Sequence, residues 1–349
     1  MTLGQLILEQ DRTVSHALVR GAALPRLLSV DRPVALYGAV LRDDALVLGR
    51  YQLPSHALGT PHAREVVLRR ATGGATVRAG SGIFYLALAL RDRSSLMKCP
   101  PGRLLNRNVR GVLQGLRLAG VRANYFGRDF LSFGAQPAVY VGWDAQPEGQ
   151  VLCEFFVAQT RTCFVPESEL AYPQRREPTL RGQAPITLAG VDNVERATQL
   201  GALFDRIAEG HAKTFGVRWE GMPADALTPH QQALGSGTDT PEQRALSWST
   251  PREEAIGFVS AGVRLDGAGK FAAVQVAGDF FAHRACAATL ERVLIGVSPT
   301  PDLVARAVDA AFAHAGYDVE GIRSLRTFQD AIIDAADAAS RDGAESQSP

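Results

Sequence analysis

Two arginines, a threonine and two adjacent glycines lie together at residues 69–74, inside the segment RRATGGATVRAGSG (69–82). Such a group can cradle an anion. Gly73 and Gly74 permit close backbone approach, so that N–H groups can face an oxyanion, and Arg69 or Arg70 can fork onto a phosphate or carboxylate. No G-K-[ST] follows, so the turn is not a phosphate loop of the common nucleotide-binding type. The glycine spacing also differs from a dinucleotide fingerprint, and a strand rather than a helix comes next. A plain tight turn is the competing reading of the same residues.

Other chemistry-bearing residues are sparse. Cys99, Cys153, Cys163 and Cys286 show no C-x-x-C spacing, and the seven histidines form no H-x-x-x-H pair, so no metal site is expected. Scattered unpaired cysteines fit a reducing, cytoplasmic setting. Cys153 alternates within a strand and reads as core. Only Lys98, Lys213 and Lys270 are lysines among 37 basic residues. Lys213 and Lys270 are expected to face solvent. Asp279 reads as a structural residue, and Glu154 as a carboxylate on the face opposite Cys153.

The elements that must position the turn are β-rich. Residues 33–52 hold two β-prone runs around Arg42-Asp43-Asp44, residues 64–70 a third, and 83–90 (IFYLALAL) a buried strand. Residues 103–118 read as an amphipathic helix. Leu105, Val109, Val112 and Leu116 lie on one side, and Arg103, Arg107, Arg110 and Arg117 on a neighbouring face. That arginine face suits solvent or an acidic partner. Strands are expected at 137–143 and 150–158, a loop at 173–187 and a helix at 194–214. Residues 254–280 look like a hairpin turning at 266–269. Helices follow at 300–312, with Leu303, Val304, Val308, Ala311 and Phe312 inward, and at 325–339. The fold class is α+β: a mixed β-sheet domain over residues 1–246, a linker region at 223–250, a small α+β accessory domain at 251–340 and a disordered tail at 341–349.

Composition bounds the partners. Of 349 residues, 46% are hydrophobic, and 37 basic against 36 acidic residues leave a net charge of +1. No global field draws the chain to nucleic acid or anionic lipid. No apolar run reaches the roughly 20 residues that a membrane helix needs, and the first residues lack the pattern of a secretory signal.

The segment RRATGGATV resembles the RR-x-T-G-G-G-A-V turn of the lipoate–protein ligase family, a branch of the biotin/lipoate ligase superfamily. Arg69, Arg70, Thr72, Gly73, Gly74 and Val77 carry the match. VLGRYQ (47–52), LAGVRANYFGRDFL (118–131), and VQVAGDFF (274–281) with LERVLIG (290–296) resemble further family segments in the same order. The resemblance implies a ligase-type domain with an accessory domain, and a two-step reaction. ATP with Mg²⁺ activates lipoate or octanoate as an acyl-adenylate, and the acyl group then moves to a lysine of a lipoyl carrier domain. It also implies ligand contacts by Arg69, Arg70, Thr72, Gly73, Gly74 and the residue at Ala75.

The chain departs from that pattern where the family's lysine belongs. Gln136 stands there, or Val139 in a shifted alignment, and no lysine occurs between Lys98 and Lys213. Removing one preorganised charge contact typically costs a factor of about 10²–10³ in rate. Ala75 replaces a glycine, and would be strained if its site needs φ > 0. Three readings stay open: a binding protein for lipoate, octanoate or the adenylate without turnover; an active ligase in which Arg78 or Arg128 substitutes for the lysine; and a transferase using Cys163 or Cys153.

Overall fold

The computed structural model of the chain describes residues 1–59, 65–100, 102–172, 183–191, 200–227, 238–314 and 317–345. The chain enters as β1 (Thr2–Arg12), turns through α1 (Val14–Ala23) and returns as β2 (Val34–Leu41). The Thr13 hydroxyl caps α1 by accepting the His16 N–H at 3.1 Å. β3 (Ala45–Leu48), the one-turn α2 (Pro54–Ala57), β4 (Val67–Arg69) and β5 (Val77–Ala79) follow. Apolar on both faces, residues 83–90 form β6 (Ile83–Leu90), buried along its whole length.

After β6 come α3 (Leu104–Leu118), β7 (Ala123–Tyr125), β8 (Phe130–Phe133), β9 (Gln136–Ala145), β10 (Val151–Ala158), α4 (Leu200–Phe215) and β11 (Val217–Gly221). Eight of these strands make one sheet in the order β11-β1-β2-β6-β10-β9-β8-β7. β1 runs parallel to both neighbours, and the rest of the sheet is antiparallel. One face packs against α3 and α4. The other packs against α1 and a three-stranded sheet, β4-β3-β5. The two runs at 33–52 therefore do not pair: β2 joins the large sheet and β3 the small one. Residues 194–199 of the helix expected at 194–214, and 173–182 of the expected loop, lie outside the described residues.

The accessory unit holds α5 (Pro241–Arg244) at its edge, then β12 (Ser247–Trp248), β13 (Arg252–Glu254), β14 (Gly257–Leu265), β15 (Phe271–Gly278) and β16 (Phe281–Ala282). α6 (Arg284–Leu294), α7 (Pro301–Phe312), β17 (Val319–Glu320) and α8 (Arg326–Glu345) complete it. Its own core lies between the β14–β15 hairpin and the three long helices. The hairpin turns at Asp266–Gly269, where the Gly269 N–H donates to Asp266 O at 3.0 Å.

Two expected boundaries and one expected core position change. β12 pairs with β14, so the accessory sheet starts at Ser247, inside the stretch read as a linker. The tail expected from 341 is helical as far as Glu345, where α8 ends beyond its core-facing residues Phe328, Ala331, Ile332, Ala335 and Ala336; 346–349 lie outside the described residues. Leu303 is 36% exposed rather than inward. It sits in the first turn of α7, just before Val304 takes the core position.

Candidate functional site

The resembling residues come together, at the junction of both sheets and the accessory unit. β4 ends at Arg69, and the chain then crosses over the middle of β9 to reach β5. Gly74 has φ +91°, a conformation that suits glycine, and Tyr140 and Phe281 occupy the space a side chain would need. Ala75 takes no positive φ, so the strain expected there is absent.

The turn is sealed from within. The Gly73 N–H donates to Trp143 O at 3.2 Å and the Gly74 N–H to Phe280 O at 3.1 Å. Both donors that could have faced an anion are thus taken by carbonyls, one of them from the accessory unit. Arg70, 1% exposed, donates to Val47 O (3.1 Å), Gly73 O (2.8 Å), Ala75 O (2.8 Å), Thr72 Oγ1 (3.1 Å) and Tyr140 Oη (2.6 Å). Its guanidinium acts as the internal scaffold of the turn. Arg69 Nη1 donates to the carbonyls of Gly49 (2.9 Å), Arg50 (3.1 Å) and Gln52 (2.6 Å). Burial, then the neighbouring Arg50 charge, lowers the Arg69 pKa to about 10.

Beneath the turn lies Glu154, fully buried on β10. Its Oε2 accepts from Thr72 N (3.0 Å) and Thr72 Oγ1 (2.5 Å), and its Oε1 from Tyr85 Oη (2.6 Å). Glu154 therefore faces inward beneath the turn, where it ties Thr72 to Tyr85. A single carboxylate in the run VLCEFFVA was the sequence signal for it, since a charge in a doubly buried strand requires donors. Asp144 has the same character at the end of β9. It is fully buried, and Arg284 Nε (2.6 Å), Tyr51 Oη (3.1 Å) and Arg50 Nε (3.5 Å) surround it. Desolvation nevertheless raises its pKa to about 6. Asp279 accepts from Gln52 Nε2 (2.6 Å) and Phe258 N (3.1 Å), and burial lifts its pKa to about 7. That is the structural role expected of it.

Neither the residues at the family's lysine position, Gln136 or Val139, nor the possible substitutes Arg78 and Arg128 place a free cation at the turn. Gln136 opens β9 and donates to Ala184 O at 3.0 Å, four residues before Tyr140. Val139 is fully buried in the core under α3 and α4. Arg78 is held by Glu169 (2.6 Å) and Glu65 (3.1 Å). Arg128 is buried beside Asp129, 3.9 Å from its carboxylate. Lys98, Lys213 and Lys270 are exposed, and Lys213 pairs with Glu209 at 2.8 Å. The Cys163 thiol donates to Phe156 O at 3.3 Å, and burial pushes its pKa to about 12. Cys153 is buried and its pKa raised for the same reason. Thiolate chemistry is therefore disfavoured at both. No group of three metal-ligating side chains occurs among the described residues.

Open space lies on the other side of Arg69 and Arg70. A cavity of about 470 Å³ is bounded by Arg50, Tyr51 and Gln52 from the first domain and by Gln275, Arg284 and Glu291 from the accessory unit.

No protein-family model and no curated protein matches the sequence. Solved structures do match. P. falciparum LipL1, in complex with lipoate, superposes with a TM-score of 0.64 at 11% identity, over 94% of this chain and 97% of its own. The fold is that of lipoate–protein ligases. A bi-partite lipoate protein ligase from Thermoplasma acidophilum, described with its E2 lipoyl domain, gives a TM-score of 0.51 at 15% identity over 65% of this chain and 91% of its own. The ligase fold thus extends through the accessory unit, as the order of resembling segments implied. At these identities the likeness is one of fold, and function rests on the site itself. As closed here, the glycine turn does not fit a nucleotide phosphate, because its N–H donors and Arg70 are already occupied.

Proposed function

We propose that the protein is a lipoate-ligase-fold binding protein for a carboxylic acid, lipoate or octanoate, or for the adenylate of either, that has kept the scaffold and lost ligase turnover. One observation carries this reading: Arg70, the cation closest to the glycine turn, gives its donors to five protein acceptors, and no lysine replaces what it withholds. Adenylation needs preorganised positive charge at a crowded phosphorus, whereas the guanidinium here is preorganised for carbonyls. The P. falciparum neighbour with lipoate bound supports the acid as ligand class. A lipoyl carrier domain is the corresponding partner, on the precedent of the Thermoplasma neighbour. Binding at the turn, of the acid or of its adenylate, requires Phe280 and Phe281 to lift from the glycines, which frees the Gly74 N–H and opens the turn that is closed to a phosphate here.

The test pairs binding with turnover. Calorimetry with lipoate and with octanoate is expected to show saturable heat, and ATP, Mg²⁺ and either acid to release no pyrophosphate. Gln136→Lys is expected to restore nothing, because its site lies about 13 Å along β9 from Tyr140 at about 3.3 Å per residue. Pyrophosphate release by the unaltered protein overturns the loss of turnover. Absence of heat with both acids overturns the binding role.

A further inference from the structure

Arg50 and Arg284 meet across the boundary between the two domains, behind the closed turn. Arg50 makes one ion-pair contact, Nε to the Asp144 carboxylate at 3.5 Å, and its side chain is 36% exposed. Its two terminal nitrogens have no protein acceptor among the described residues. Arg284 uses Nε on Asp144 Oδ1 (2.6 Å) and Nη2 on Ala71 O (3.4 Å), which leaves Nη1. The Gln275 side-chain amide, on β15, has no partner among the described residues either. All three side chains line the 470 Å³ cavity.

Three conclusions follow from that lining. The space is within the range of small-molecule sites and larger than a bare ion requires. Arg50, Arg69 and Arg284 line it with one carboxylate, Glu291, while the buried Asp144 carboxylate pairs with Arg50 and Arg284, so the lining is rich in guanidinium donors rather than in unbalanced charge. The unused donors come from both domains, and guanidinium forks suit phosphate oxygens. A ligand seated here would touch neither Gly73 nor Gly74.

We infer that this interdomain cavity is a second ligand site, for a small organic phosphate monoester whose phosphate is held by Arg50 and Arg284 with Gln275, and that its occupancy ties the accessory unit to the first domain. The phosphate contacts assigned here, Arg50, Arg284 and Gln275, are not those of acid binding at the turn, although Arg69 and Arg70 border both.

Calorimetry and thermal unfolding of the full chain with ribose 5-phosphate, ribose and inorganic phosphate test it. Ribose 5-phosphate is expected to bind and raise the melting temperature, while ribose does neither and inorganic phosphate binds more weakly. Arg50→Ala should weaken ribose 5-phosphate about ten- to a hundredfold, the range for one charge-assisted hydrogen-bonding group. Gln275→Ala, which touches no ion pair, should weaken it about three- to tenfold and supplies a second variant should Arg50→Ala unfold. Ribose 5-phosphate binding no better than ribose, or binding unchanged in both folded variants, overturns the site. Inorganic phosphate matching ribose 5-phosphate overturns the claim for an organic ester. Because lipoate and octanoate are absent from these titrations, failure here leaves the reading of the turn standing, and the reverse.

Discussion

Arg70 and Arg50 stand on opposite sides of one short segment and have opposite fates. Arg70 is enclosed, with five acceptors at 2.6–3.1 Å. Arg50 is partly exposed, with one ion-pair contact at 3.5 Å. An arginine is available to a ligand only if the fold leaves its donors unmatched, and a motif match does not say whether it does. Here the arginine that matches the family turn is structural, and the one outside the core motif faces open space.

The largest expected effect breaks the closed side. Arg70→Met removes five hydrogen bonds at once, three of them to backbone carbonyls of β3 and the turn, inside a closed region. We expect a loss of about 4 kcal/mol in urea unfolding; a change under about 1 kcal/mol would mean that the turn does not depend on that guanidinium. Gly74→Ala should cost about 2–3 kcal/mol, from positive φ combined with the clash against Tyr140 and Phe281. Its signature should include faster proteolysis at the accessory boundary, since Phe280 and Phe281 must shift.

A third test concerns the buried contact between the first domain and the accessory unit, where Gln52 meets Asp279. Asp279 has its folded pKa raised from 3.8 to about 7, so the folded state binds the proton more tightly than the unfolded chain. Its contribution is fully present below pH 3.8 and is lost as pH rises toward 7, at up to about 1.4 kcal/mol per pH unit. Asp279→Asn should flatten the stability profile between pH 4 and 7. His211 acts in the opposite direction. Burial lowers its pKa to about 4, so it favours unfolding as pH falls from 6.5 toward 4, and His211→Phe should remove that acid-side loss. An identical pH profile for wild type and Asp279→Asn would exclude the titration assigned here.

The smallest effect sharpens the open side. Arg50→Ala should change stability by less than about 1 kcal/mol, since Arg284 and Tyr51 still satisfy Asp144. A loss comparable to that of Arg70→Met would erase the distinction between the two arginines.

Much of the architecture was legible because strand and helix periodicities report burial directly. Residues 83–90, apolar apart from the Tyr85 hydroxyl, had to be a doubly covered strand, and they are β6. Leu105, Val109, Val112 and Leu116 had to share a helix face, and all four are buried on α3. The site was legible only as a set of residue types. Glu154 could be seen as a lone carboxylate in an apolar strand, but not that Thr72 and Tyr85 would serve it. Asp144 gave no sign that Arg284, 140 positions later, would reach it.

By itself the sequence determined the strand and helix pattern, the order of segments that resembles the ligases, and the lack of a lysine between Lys98 and Lys213. Each depends on residue identity and local spacing alone. Tertiary structure decided which donors are spent inside the molecule. The N–H groups of Gly73 and Gly74 are silenced by carbonyls from Trp143 and Phe280, 70 and 206 positions away. Whether a polar group binds a ligand depends on its unmet hydrogen bonds, and those are known only once distant chain segments have been brought against it.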